Sequence, residues 1–359
     1  MNFQIFKLAN FQILQIMIDA FSVGMVRVNK GLVQIVSTEL NRKDILGAVM
    51  VRWGINRNNF RVEPGLYAVG FPDSTSDVFV TANYKLSFDT LRKNLKGQNG
   101  WILVLDTKGV NVWCAAGKGT FGTKELVDRI KLISLDKIVN HRRIILPQLG
   151  ATGVAAHKVK EETGFNVHYG PVRASDIKQF ISKGYRADKE MRRVTFTFKD
   201  RIKLVPNDFV YGKFYLMGAM IILFIISGLS RNGFSYKDFS GEGGPAILNV
   251  FLAYLAGIVI TPVCLPYIPG RPFALKGFIA GSIVFLILLS LNLTGKNIFE
   301  IISWFLVITA VSSFLAMNFT GSSTYTSLSG VKKEMKISMP LQIGFAIAGI
   351  VLQIIGKLI

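Results

Sequence analysis

From Lys213 onward the sequence is dominated by five long apolar runs, and they limit what this chain can become more than any other feature. They cover roughly residues 214–229, 246–265, 273–291, 298–317 and 341–355. Each approaches the ~20 apolar residues that a helix needs to cross about 30 Å of hydrocarbon. A buried helix of a soluble protein is the competing reading of any one run; five in succession argue for a membrane domain. The runs hold almost no ionisable residues, with Glu300 near one end. Ion and proton pathways place such groups inside the bilayer, so an anchoring or assembly role is expected rather than transport.

The connectors set an orientation. Lys199, Arg201, Lys203 and Lys213 precede the first run, Arg271 and Lys276 follow the second, and Lys332, Lys333 and Lys336 follow the fourth. These fall on one side. The other side carries Arg231, Lys237 and Lys296 together with Asp238 and Glu242. The positive-inside rule then places the front of the chain in the cytoplasm and the C-terminus outside, as a multi-pass protein of the cytoplasmic membrane. The formal charge is +20. Most of it lies in front: residues 213–359 hold ten Lys/Arg and four Asp/Glu, the first 212 the other thirty-two and eighteen. A basic domain beside a membrane favours anionic lipid headgroups or an acidic partner protein. No nucleic-acid motif accompanies the charge, so nucleic acid is not expected.

Residues 1–20 are apolar but broken by Gln4, Lys7, Asn10, Gln12, Gln15 and Asp19, and they read as an amphipathic helix on the membrane or on the domain rather than a cleaved leader. Strands are expected at Leu32–Ser37, Ala48–Trp53, Tyr67–Gly70, Val78–Thr81, Trp101–Asp106, Arg143–Leu146, Phe165–Tyr169 and Val194–Phe198. Helices are expected at Ser87–Leu95, with Ser87 as its cap, and at Lys124–Leu132, Gly153–Thr163 and Ala174–Lys183. Strands alternating with helices of this length predict an α/β domain with a mostly parallel sheet and helices on both faces. The expected boundaries are an N-terminal amphipathic extension over 1–45, the α/β domain over 46–205 and a five-helix transmembrane domain over 206–359.

The least ordinary stretch is Asn111-Val-Trp-Cys-Ala-Ala-Gly-Lys-Gly-Thr-Phe-Gly122, at the junction between the Trp101 strand and the following helix. Such junctions hold ligands in α/β proteins. Gly117 to Gly122 satisfies G-x-G-x-x-G, but ten residues separate it from the strand and no Gly-Lys-Ser/Thr ends it, so the nucleotide reading is weak. Cys114 admits three readings: a buried structural cysteine, a nucleophile with its base brought in from elsewhere, or a thiolate ligand to a soft metal or metal cofactor. Ala115, Ala116, Gly117 and Gly119 leave room for a large flat ligand, and Trp113 supplies an apolar wall. Cys264, beside Pro262 and Pro266, reads as structural. His141, His157 and His168 share no metal-ligand spacing, and the two cysteines provide neither an iron–sulfur cluster nor a zinc ribbon.

The nine residues Asn111-Val-Trp-Cys-Ala-Ala-Gly-Lys-Gly119 resemble the signature of the HgcA family, the membrane corrinoid proteins of microbial mercury methylation. Val51-Arg-Trp-Gly-Ile55, Pro64-Gly-Leu-Tyr-Ala-Val-Gly70 and Val80-Thr-Ala-Asn-Tyr-Lys85 resemble that family's flanking blocks. The soluble part is also similar to the corrinoid-binding domain of the corrinoid/iron–sulfur protein of acetogens, which implies a flavodoxin-like, Rossmann-like fold. The resemblance covers about residues 50–180 and the five-span tail.

What the resemblance implies is a cobalamin-type corrinoid held base-off, with Cys114 on a short cap helix as lower axial ligand to cobalt. A thiolate donates more electron density than an imidazole. Trans to a methyl group it favours departure of the methyl with its electrons, as Hg(II) requires. The implied activity is a corrinoid-dependent methyltransferase making methylmercury. The alternative is a membrane-anchored methyl carrier serving another acceptor in one-carbon metabolism. A methyltetrahydrofolate-linked donor and a two-cluster [4Fe-4S] ferredoxin-like reductant are the implied partners. Asn111, Val112 and Trp113 would shape the cap with Cys114, Ala115, Ala116, Gly117, Lys118 and Gly119. Thr81, Asn83 and Tyr84 would touch the ring or its tail, and Pro147, Gly150 and Thr152 the nucleotide tail.

Overall fold

The computed structural model describes residues 21–29, 31–319 and 328–359; the helix expected over residues 1–20 lies outside them. The chain divides into two units, one reaching Val51 and resuming over Ile55–Val194, the other holding Arg52–Gly54 and Thr195–Ile359.

The first unit is a seven-stranded mixed sheet. In chain order it runs β1 (Ser22–Val28), β2 (Gly31–Val36), α1 (Arg42–Arg52), β3 (Gly65–Val69), β4 (Asp77–Ala82), α2 (Lys85–Asn94), β5 (Gly100–Leu105), α3 (Val112–Lys118), α4 (Thr123–Ile133), β6 (Arg143–Leu146), α5 (Ala156–Thr163), β7 (Asn166–Tyr169) and α6 (Ile177–Ser182). The strand order is β1-β2-β3-β5-β4-β6-β7. The sheet takes in β1 and β2, on the extension side of the expected boundary at residue 45.

β4, β5, β6 and β7 are parallel to their neighbours among themselves, whereas β3 is antiparallel to β5. The connector explains the reversal. Only residues 70–76 join β3 to β4, and a parallel crossover takes a dozen residues or more. β5 is buried along its whole length, which its unbroken apolar sequence requires of a central strand. Helices cover both faces. Leu126, Val127, Ile130 and Val159 pack on one face with Leu103 and Leu105. Phe88, Leu91, Ile177 and Phe180 pack on the other with Ile102 and Val104.

Two expected strands are not strands. Ala48–Trp53 falls largely in α1, because Asn41 and Asp44 cap one another: Asp44 N–H donates to Asn41 Oδ1 at 2.9 Å and Asn41 N–H to Asp44 Oδ2 at 3.0 Å. Val194–Phe198 is irregular. Phe196 takes φ 44°, which breaks an extended run, and Thr197 caps the next helix with Asp200.

The second unit contains α7 (Phe198–Ile202), α8 (Val205–Ser227), α9 (Tyr236–Leu255, continued by a π-turn at Ala256–Ile260 as far as Val263), α10 (Phe273–Ser290), α11 (Ile298–Asn318) and α12 (Leu328–Leu358). Among the described residues five helices are long and apolar enough to cross a membrane. Small residues bring α10 and α11 together: a Cβ on Gly277 would lie 2.9 Å from Ser313 Cα. The spans are more polar than expected. Lys276 lies inside the first turn of α10, buried, donating to the carbonyls of Leu265 (2.8 Å) and Ile268. Buried Lys357 pairs with Glu242 and, at 3.2 Å, with buried Glu300. The sequence reading put Lys276 and Glu242 in loops and Glu300 near a span end. Glu242 and Lys357 come inside because α9 and α12 extend past their apolar runs; Lys276 and Glu300 lie within theirs.

Candidate corrinoid site

The site grows from the order of the strands. The crossover from β4 to β5 leaves in one direction and that from β5 to β6 returns in the other, so β4 and β6 lie side by side, registered at Phe79–Ile145. A crevice opens at the carboxyl ends of strands where such a switch occurs. Here it is a pocket of about 330 Å³ lined by Val80 and Thr81 of β4, Ile145 and Leu146 of β6, Pro147, and Asn111, Val112 and Trp113 of the cap. Its walls are mainly apolar, with polar groups from Thr81, Ser87, Thr90 and Asn111.

α3 is seven residues long. Asn111 is its N-cap, accepting the Cys114 N–H at 2.9 Å, and Gly119 ends it in the left-handed region at φ 81°. One face is sealed: Val112, Ala115 and Ala116 are buried. Cys114 is half-buried, and Gly117 and Lys118, one turn on, are exposed beside it. A Cβ added to Gly117 would meet nothing within 4 Å, so packing inside the protein does not demand a glycine there.

The loop feeding α3 is tied down by Asn83. Its Oδ1 accepts from Thr107 N–H (3.1 Å), Thr107 Oγ1 (2.8 Å) and Gly109 N–H (3.0 Å), and its amide donates to Asp106 (3.2 Å). Asp106 also accepts from Lys108, and its backbone N–H donates to Glu125 at 2.8 Å. Burial alone would raise the Asp106 carboxyl; hydrogen bonds and charge from Lys108, with Arg129 nearby, hold it below the usual carboxylate range.

Of the residues singled out in the sequence, Thr81, Asn111, Val112, Trp113 and Pro147 meet in the pocket. Cys114, Gly117, Lys118 and Gly119 occupy the open side of α3. Ala115 and Ala116 face the core, where a Cβ on Gly153 would lie 3.0 Å from Ala116 Cα. Asn83 and Tyr84 are buried outside the pocket lining, Gly150 abuts the Phe121 ring, and Thr152 is exposed. Sequence reasoning missed Ser87 and the wall Gly170-Pro171-Val172, which follows β7. Ser87 sits inside α2, with Tyr84 at the cap. A Gly-Pro pair directly after a strand was the available signal for the second wall.

Residues 6–181 match the protein-family model described as CdhD, CO dehydrogenase/acetyl-CoA synthase delta subunit. The acetyl-CoA decarbonylase/synthase complex subunit gamma of Archaeoglobus fulgidus is 34% identical over 131 residues, 36% of this chain and 27% of that protein. The corrinoid/iron-sulfur protein large subunit of Moorella thermoacetica is 33% identical over 122 residues, 33% of this chain and 27% of that protein. The front unit is similar to these subunits. The chain spans about a quarter of the length of the curated relatives it matches.

Among the described residues there is no group of three or more His, Cys, Asp or Glu able to hold a bare ion, whereas protein-caged metals need three or four such ligands. A metal that brings its own macrocycle needs one protein donor, and Cys114, half-buried beside open space at Gly117, would be the residue to hold it.

Proposed function

We propose that this chain is a membrane-anchored corrinoid methyltransferase that delivers a methyl group, as a carbanion equivalent, to Hg(II), giving methylmercury. A corrinoid bound base-off here would supply a cobalt centre for the methyl chemistry, and Cys114 would hold it through its thiolate. Asn111 fixes the turn that carries Cys114, Gly117 and Gly119 keep the open side of α3 free, and Asn83 holds the loop from which α3 springs. The pocket walled by Val80, Thr81, Ile145, Pro147 and Trp113 takes a side arm or tail and keeps water out. Exposed Lys118 offers a cation to polar groups of the ligand. Gly150 and Thr152 belong to the turn beside that pocket.

The observation that carries the reading is a cysteine on a capped seven-residue helix beside a switch-point pocket, in a unit similar to a corrinoid/iron-sulfur protein subunit. The preference for Hg(II) rests on the nine-residue stretch from Asn111 to Gly119. The connector charges support a cytoplasmic front domain and an external C-terminus. With no cluster motif in this sequence, a two-cluster ferredoxin-like protein serves as reductant and a methyltetrahydrofolate-linked protein as donor.

The names of the relatives favour one second reading, a methyl carrier for another acceptor. Reconstitution of the full chain with a corrinoid separates the claims. Replacing Cys114 by Ala is expected to shift the cobalt spectrum and abolish transfer; an unchanged spectrum defeats axial ligation. Methylated protein given Hg(II) and reductant is expected to yield methylmercury. Methylation of another acceptor without any methylmercury establishes the second reading instead.

A further inference from the structure

α1 is built inside out. Its one acidic side chain, Asp44, is buried and pairs with Lys85 at 2.6 Å and Arg92 at 2.7 Å. Val51 is buried beside it on that face, but the other large apolar side chains point outward: Ile45, Leu46, Val49 and Met50, with Trp53 and Ile55 just beyond, are between 37% and 60% exposed. Helices of water-soluble domains show the reverse arrangement, and a contiguous apolar patch rimmed by polar groups marks an interaction surface.

The rim names the partner. Residues 42–61 carry Arg42, Lys43, Arg52, Arg57 and Arg61 against Asp44 alone. Arg42 and Lys43 stand exposed in the first turn, where the helix dipole disfavours cations; local helix stability does not account for them. Trp53 sits edge-on to Phe209, in the first two turns of membrane helix α8, with ring centroids 6.5 Å apart. Tryptophan favours the level of the lipid headgroups. A basic apolar helix face with a tryptophan directly after it in the chain matches an interfacial helix.

We propose that α1 and Trp53 form a membrane-surface helix whose apolar face is seated among the acyl chains of an anionic leaflet. The inference stands on the spans and on the exposure of α1, and is independent of the corrinoid reading. The test uses the full chain in nanodiscs, with the Trp53 emission taken as wild type minus Trp53→Phe. Phospholipids brominated on the upper acyl carbons are expected to quench this component and acrylamide to leave it, with stronger quenching in discs containing phosphatidylserine than in neutral ones. The paired change Leu46→Ser with Val49→Ser is expected to weaken the bromolipid quenching while the far-UV circular dichroism stays as in wild type. Quenching by acrylamide but not bromolipid puts the face in water and overturns the proposal. Protection from both quenchers means a protein covers it, whether an acidic partner, a second copy or residues 1–20, and overturns it equally. Equal quenching in neutral and anionic discs removes the anionic preference.

Discussion

The Oδ1 of Asn111 accepts the backbone N–H of Cys114 at 2.9 Å. That bond caps the N-terminus of a helix seven residues long, too short to persist on its own propensity. Asn111→Ala is expected to weaken α3 by about 1 kcal/mol. Amide exchange across Val112–Lys118 would rise roughly fivefold, and Asn111→Asp would restore it. Unchanged exchange would show that packing of Ala115 and Ala116 alone holds the helix.

Gly117 separates the needs of the fold from those of a ligand. Nothing in the protein would touch a Cβ there, and glycine inside a helix costs about 0.5–1 kcal/mol relative to alanine. Gly117→Ala is expected to stabilise the ligand-free chain by that order, and Gly117→Leu to leave it folded. Both should retain less corrinoid after gel filtration, Leu the less of the two. Full retention by the Leu variant would mean that the open side of α3 is not where the ring lies.

Arg92 is fully buried, donating to Asp44, Asp89 and the carbonyls of Ser37 and Glu39. Removing it leaves two buried carboxylates sharing the single cation of Lys85. Arg92→Met is expected to cost about 3–5 kcal/mol, seen as a large fall in the denaturant midpoint of the front unit. Adding Asp44→Asn and Asp89→Asn should recover part of the loss.

The same network gives an acid limit. Burial would raise the Asp44 carboxyl, but hydrogen bonds from Lys85, the Asn41 backbone and Arg92 hold it below its ordinary value. A lowered folded pKa means stability that is present above the unfolded Asp value of about 3.9 and lost as pH falls below it. Denaturant midpoints of the front unit should therefore hold steady down to about pH 4 and then decline. Asp44→Asn should flatten the decline.

In the membrane unit Lys357 joins Glu242 and Glu300. Lys357→Met leaves both acids without this cation and is expected to lower thermal stability in detergent, with about 3–5 kcal/mol as the scale for a buried pair broken on one side. Glu300→Gln beside it should relieve part of the deficit.

Where a segment's own sequence settled its environment, the fold was legible. The run Gly100–Leu105 admits only a central strand, and the five apolar runs only membrane-length helices. Ala48–Trp53 was misread because a short apolar run is compatible with strand or helix; the deciding signal was Asn41 three residues ahead of Asp44. The short helix around Cys114 was expected only from the family resemblance of Asn111–Gly119, and the Asn cap and terminal Gly that build it were visible in the same stretch. The wall from Gly170 to Val172 and the role of Asn83 were not. They depend on β7 and on the loop 106–109 arriving from elsewhere in the chain.

The close packing behind α3 sets the size of the piece that can be moved between proteins. Phe121 N–H donates to Ala115 O at 3.1 Å, Thr123 N–H to Gly153 O at 3.1 Å and Ala155 N–H to Thr123 Oγ1 at 2.9 Å, while Gly150 lies against the Phe121 ring. Grafting Asn111–Gly119 alone into a related domain would leave its inner face without a matching surface. The smallest transplantable cassette runs from Asn111 through Thr123 and includes the turn from Pro147 to Ala155, inherited together or not at all.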